Sequence, residues 1–237
     1  ILYKVMNVPL PAAPDAQTLQ VASGTVCNVF CFAVFGLCIV LALLMGCKPR
    51  DYWELMKHSG HGADYCGAFG NAAFLMNVGV FGLFIVLYYN LIGATFNAVT
   101  FGCIFCMLAT CDSGSHPGNV WPIMVGYVAA SFLCKWVCVE LIGSEYAQAI
   151  NAQAIVIGLC FANGLSPIAG KYGWPFGILA GALHFCLVTS VPMLHGGFCL
   201  YNGGFTAAFV CVVLVPVLEH FFRTKEDRRR PKNEISA

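Results

Sequence analysis

At 237 residues, with 59% hydrophobic and 10% charged residues, the chain has too little polar surface to cover a soluble domain, where about 25% charged is usual. A mean hydropathy of +0.77 agrees, and a net charge of +1 names no acidic or basic partner. The composition predicts a polytopic membrane protein whose first partner is the lipid bilayer.

Residues 1–25 open with ILYKVMNVPLPAAPDAQTLQ, which is broken by proline and has no continuous apolar core. They read as an extramembrane segment and not as a cleavable signal peptide. The start at Ile reads as part of a longer gene product. Seven segments then approach the roughly 20 apolar residues that a membrane crossing needs. They are 26–46, 67–88, 91–110, 120–139, 149–165, 175–194 and 198–218, within a transmembrane domain of 26–222. The fifth is short, and the third and seventh are interrupted by Gly and Asn. None alternates as a lipid-facing β-strand would. The expected fold class is all-α, a polytopic transmembrane helical bundle of about seven spans.

Charge sets the expected orientation. Arg223, Lys225, Arg228, Arg229, Arg230 and Lys232 are half of the 12 basic residues. Their tail, 223–237, reads as a cytoplasmic topology anchor and not as a nucleic-acid-binding segment. Counting back through seven crossings puts the loops at 47–66 (Lys48, Arg50, Lys57) and 166–174 (Lys171) on that same side. The connections near 89–90, 140–148 and 195–197 hold no Lys or Arg. The expected location is the plasma membrane, with the N-terminus outside and the C-terminus cytoplasmic. Lys135, beside Trp136 near the outer end of the fourth span, is expected to snorkel.

The 14 cysteines fall mostly inside the spans, as in VCNVFCFAVFGLC, and read as small apolar residues. Cys103 and Cys106 have a CxxC spacing, but no second pair or nearby His completes a tetrahedral site. No metal or other cofactor is expected.

Two stretches, 65–111 and 172–218, contain no Asp, Glu, Lys or Arg.

 Neither carries a single charged side chain, and each opens with a Tyr, as YCGAFG and YGWPFG. Deep in each lies an aromatic-Asn-small triplet, Phe96-Asn97-Ala98 and Tyr201-Asn202-Gly203. These pairs predict an internal repeat of two-span units with broken or re-entrant helices, parallel if every segment crosses and inverted if one dips in and returns. The expectation is that Asn97 and Asn202 lie near each other.

Polar groups inside spans cost free energy unless they meet partners or line a wet cavity. Asn71, Asn77, Asn97, Asn163, Asn202, His184 and His195 fall within or at the rims of spans. In LHGGFCLYNGG two Gly-Gly pairs bracket Tyr201 and Asn202, where a continuous helix is hard to maintain, so a break is expected between His195 and Gly204. Asn97, Asn202, His195, Tyr201, Asn77, His184 and Asn163 form the candidate solute path, since Asn can replace water around a small polar solute. The alternative for each is a hydrogen bond that glues helices together. Gly177 and Gly181, in GILAG, have the spacing that lets helices approach closely. In CDSGSHPGNVWP, Asp112 and His116 are a candidate proton relay, beside the alternative of a turn with a capped helix. No Ser-His-Asp order, zinc motif, Walker loop or dinucleotide fingerprint is present.

GATFNAVTFGCIF, SHPGNVWPIMVG, GLSPIAGKYGWPFGILAGALHFCLV and LHGGFCLYNGGFTAAFV resemble an uncharacterised family of bacterial multi-pass membrane proteins known as domain of unknown function 1576. The resemblance covers about residues 65–220 and implies the architecture alone, with no substrate or catalytic residue. The expected function is a membrane transporter or channel for a small polar or ionic solute, not an enzyme, with no nucleic-acid partner and homo-oligomers left open. The alternative is a membrane-embedded structural or interaction protein.

Overall fold

The computed structural model describes residues 16–144, 147–194 and 202–229, and among them there is no strand. The chain runs α1 (Ala16–Leu44), α2 (Pro49–Lys57), α3 (Tyr65–Leu91), α4 (Ala98–Leu108) and α5 (Pro117–Lys135), which a π-turn extends over Trp136–Leu141. There follow α6 (Gln153–Ala162), a 3-10 turn (Asn163–Leu165), α7 (Ser166–Tyr172), α8 (Trp174–Leu194), α9 (Asn202–Phe221) and α10 (Lys225–Arg229). Helix is the only backbone form that satisfies its own polar groups in lipid without a partner strand.

Among the described residues six stretches are long and apolar enough to cross a bilayer: Gly24–Leu44, Tyr65–Leu91, Pro117–Leu141, Gln153–Tyr172, Trp174–Val191 and Asn202–Arg228. The expected span at 91–110 takes another form. Its helix, α4, has 11 residues, about 16 Å at 1.5 Å per residue, roughly half of a hydrocarbon core. Gly93 turns the chain at φ 69°, and α4 starts only where Asn97 caps it.

Contacts define two ends of the bundle. At one, Asn28 Nδ2 donates to Asn90 Oδ1 at 2.8 Å, Asn151 donates to the Gly93 carbonyl and Asn97 to Gln153. At the other, His116 bonds the His58 carbonyl, Lys225 the Ala169 carbonyl and Arg228 the Tyr172 carbonyl. Lys48, Arg50, Lys57, Lys171, Arg223, Lys225 and Arg228 gather at this second, basic end, whereas Lys135 lies at the far end beside Gln148 and Asn151. The short α4 does not strand the chain midway. Residues 109–112 carry it on to the basic end, where the Asp112 carbonyl accepts from the backbone N–H of Tyr65, the first residue of α3. The described residues therefore traverse the bundle seven times, with α1 starting at the far end and α9 finishing at the basic end.

α4 runs alongside α6–α7 in the same direction, and α5 alongside α8. Asn97 faces Gln153, Thr110 faces Asn163, Ser115 faces Ser166 and Trp121 stacks near Trp174. The long helices, α5 and α8, touch through glycine. A Cβ on Gly126 would meet the Ile178 carbonyl and the Ala182 nitrogen, and one on Gly181 would meet the Ile123 carbonyl. Gly177 packs on Pro122 and Ala169, so the GILAG spacing serves close approach. On α3, Gly79 and Gly82 admit Phe35 and Ile39 of α1 in the same way. Exposed Val26, Leu37, Leu91, Phe132 and Val212 give the outer surface the apolar character that lipid requires.

Candidate functional site

At similar depth α4 ends and α6 tightens into the 3-10 turn that leads into α7. After α4 comes ATCDSGS, with Gly114 at φ 122°, a conformation that favours glycine. After α6 come Asn163-Gly164 and then Ser166-Pro167, and proline suits the start of α7 because its missing N–H would be unpaired there anyway. Polar side chains gather beside the end of α4 and the 3-10 turn and bond one another and nearby carbonyls. Asn163 Nδ2 donates to the Met107 carbonyl at 3.1 Å and to Thr110 Oγ1. Thr110 Oγ1 lies 2.7 Å from the Met107 carbonyl and 2.9 Å from Ser115 Oγ, and Ser115 Oγ lies 3.2 Å from Ser166 Oγ. From α3, Asn77 Nδ2 donates to the Ser115 carbonyl at 2.9 Å.

Asn77, Ser115, Asn163 and Ser166 are all buried. Within this cluster Asn77 Oδ1 and Asn163 Oδ1 accept no hydrogen bond. A buried polar atom without a partner costs about 1–3 kcal/mol. A cavity of about 250 Å³ is walled by Gly164, Pro167, Ile168, Lys171, Tyr172 and Glu219 among others, so it reaches the residue next to Asn163. A second, of about 440 Å³, lies at the basic end, and His61 and Lys171 wall both. At that mouth Lys171 Nζ pairs with Glu219 at 3.3 Å.

The other expected path residues have separate places. Asn97 caps α4, its Oδ1 accepting from the Val99 and Thr100 N–H groups at 2.9 and 3.0 Å, while Nδ2 bonds Gln153 at 2.7 Å. Asn202 begins α9 and donates to the Val188 carbonyl at 2.9 Å. Both asparagines thus open a helix returning from the far end, but each is tied to a different neighbour, α6 for Asn97 and α8 for Asn202. His184 is buried between Tyr127 and α9: Nε2 donates to the Gly203 carbonyl at 2.9 Å, and Nδ1 accepts from the Tyr127 hydroxyl. His195 and Tyr201 lie outside the described residues, as does the expected break over 195–201, and residues 202–204 are helical. The structure brings Asn77 and Asn163 into one cluster. It adds Thr110, Ser115 and Ser166, which sequence reasoning missed.

Asp112 and His116 have different partners. Asp112 Oδ1 accepts from the Cys66 N–H at 3.4 Å. His116 Nδ1 accepts from the Gly118 N–H at 3.1 Å, so the ring's proton sits on Nε2 and is donated to the His58 carbonyl at 3.0 Å. The ring clasps the 58–61 loop to the start of α5. Burial pushes its pKa down to about 4, below the usual 6.5. Between pH 6.5 and pH 4 the unfolded chain binds the proton more readily, so stability is full above 6.5 and falls as pH drops through that window. The slope from this one group is at most about 1.4 kcal/mol per pH unit. Melting curves from pH 7 to 4 should show this loss, and His116→Asn, which keeps a capping side chain, should flatten it. Parallel profiles for the two proteins would count against the clasp.

With this geometry in view, a family model described as "Protein of unknown function (DUF1576)" matches residues 44–220. The chain belongs to that family. The match takes in α4 and α6–α7 of this DUF1576 chain, α2 and nearly all of α9. No curated protein matches the chain, and no solved structure does.

Proposed function

We propose that the protein is a transporter or channel for a small polar or ionic solute. The observation that supports this is the pair of unpartnered amide oxygens, Asn77 Oδ1 and Asn163 Oδ1, beside the end of α4 and the 3-10 turn between α6 and α7. Interrupted helices in transporters hold solutes and ions through unwound backbone groups, and the asparagine oxygens are acceptors of the same kind beside an interruption. A cavity open at the basic end reaches Gly164, the neighbour of Asn163. The packing alternative draws support from Asn97 and Asn202, whose amides cap or tie helices. The test is an osmotic swelling assay on proteoliposomes, run with a panel of urea, glycerol, and ammonium, sodium and potassium salts. At least one solute should enter faster than in protein-free liposomes. Rates equal to those of protein-free liposomes across the whole panel would sink the transport reading.

The orientation follows from charge. We place the basic end in the cytoplasm of a plasma membrane, because eight described Lys and Arg, Arg229 among them, lie there against Lys135 at the far end. A reporter fused to the C-terminus should be active only in its cytoplasmic form. Activity of a periplasm-type reporter at that position would reverse the assignment.

A further inference from the structure

The cluster's free capacity is one-sided. Both asparagine amide nitrogens already donate, Asn77 to the Ser115 carbonyl and Asn163 to the Met107 carbonyl and Thr110. The hydroxyls of Thr110, Ser115 and Ser166 are linked in a chain. What is left over is acceptor oxygen, on Asn77 and Asn163. An anion would need free N–H groups or a cation at the cluster, and Lys171, the lysine in the cavity wall, is paired with Glu219. The backbone adds the same sign. α4 ends at Leu108 and presents its C-terminal, partially negative end to the cluster, whereas α6 runs on through its 3-10 turn into α7. No carboxylate joins it, since Asp112 turns to the Cys66 N–H. Neutral oxygens suit a singly charged ion, whereas the common divalent ions are held with carboxylates.

We infer that this cluster binds a small monovalent cation, an alkali ion or ammonium, with Asn77 Oδ1 and Asn163 Oδ1 among its ligands. The inference rests on the transport reading above and names the class of solute or coupling ion. The cation takes the place of hydrogen-bond donors at the two oxygens and enters through the cavity beside Gly164.

The test is a thermal-shift titration of the purified full chain in detergent, at constant ionic strength. Lithium, sodium, potassium and ammonium chloride are each exchanged for choline chloride, and sodium gluconate separates the cation from its anion. At a hundredfold excess over the dissociation constant, the preferred ion should raise the melting temperature by on the order of 5 °C. The rise should saturate and should be the same in gluconate. Comparing the ammonium and alkali arms identifies the ion. Asn77→Leu and Asn163→Leu should each abolish the rise, and should either variant fail to fold, the wild-type series still decides. Identical melting in every salt, choline included, overturns the inference, as does a rise that survives in both leucine variants. Flux of a neutral solute without any cation effect removes the cation site but leaves transport standing. A saturable cation effect in a protein that moves nothing does the reverse.

Discussion

Gly126→Leu is expected to strip the chain of its folded state in detergent, with a loss of about 3 kcal/mol or more, the upper range for overpacking. The cause is backbone meeting backbone. A Cβ at position 126 would press on the Ile178 carbonyl and lie 2.9 Å from the Ala182 nitrogen, and neither can rotate away as a side chain would. Separating α5 from α8 would also pull Tyr127 from His184 and Trp121 from Trp174. In lipid the exposed apolar surface gains nothing from leaving water, so close packing carries much of the helix association. Gly36→Leu is the control. Nothing lies within 4 Å of a Cβ at Gly36, and leucine there improves helix propensity. Size-exclusion profiles and melting temperatures of the two variants should diverge widely. A Gly126→Leu protein that melts with the wild type would show that α5 and α8 are not in such contact.

The architecture was legible because hydrocarbon imposes a single-letter rule: apolar for long enough, with charges gathered at one end. That rule located the six long spans and grouped Lys48, Arg50, Lys57 and Lys171 with the basic tail. It misjudged the form of 91–110, because a hydropathy count does not register hydrogen bonding. Phe96 and Val99 are as apolar as their neighbours, yet Gly93 turns the chain and Asn97 binds the N–H groups of α4's first turn. The site was legible in part. Asparagine inside an apolar run stands out, which flagged Asn77 and Asn163, but the same letter at Asn97 and Asn202 serves helix starts. Thr110 and Ser166 carried no signal, since a hydroxyl in a span commonly bonds its own helix, as Thr189 does to the Phe185 carbonyl, and Ser115 stood out only as one polar residue of CDSGSHPGNVWP. Only the parallel register of α4 and α6–α7 brings them together.

Asn163→Leu should separate a solute path from simple glue between helices. The asparagine amide reaches the Met107 carbonyl and Thr110, while its oxygen remains unpartnered. Leucine removes a buried acceptor that is costly as it stands. The Met107 carbonyl keeps the Thr110 hydroxyl, 2.7 Å away, so the backbone is not orphaned. Stability should therefore move by no more than about 1 kcal/mol, the scale of one net hydrogen bond. Flux should respond differently, because a solute or ion that depends on Asn163 Oδ1 has no substitute ligand in leucine. Losing an interaction of about 1.4 kcal/mol with the moving species is tenfold in its binding, and proteoliposome entry should fall by on the order of tenfold or more. Glue predicts the opposite pattern, with unchanged permeability and a lowered melting temperature. Measuring both quantities on one preparation lets each reading fail on its own terms, and full flux through the leucine variant would mean that Asn163 serves packing.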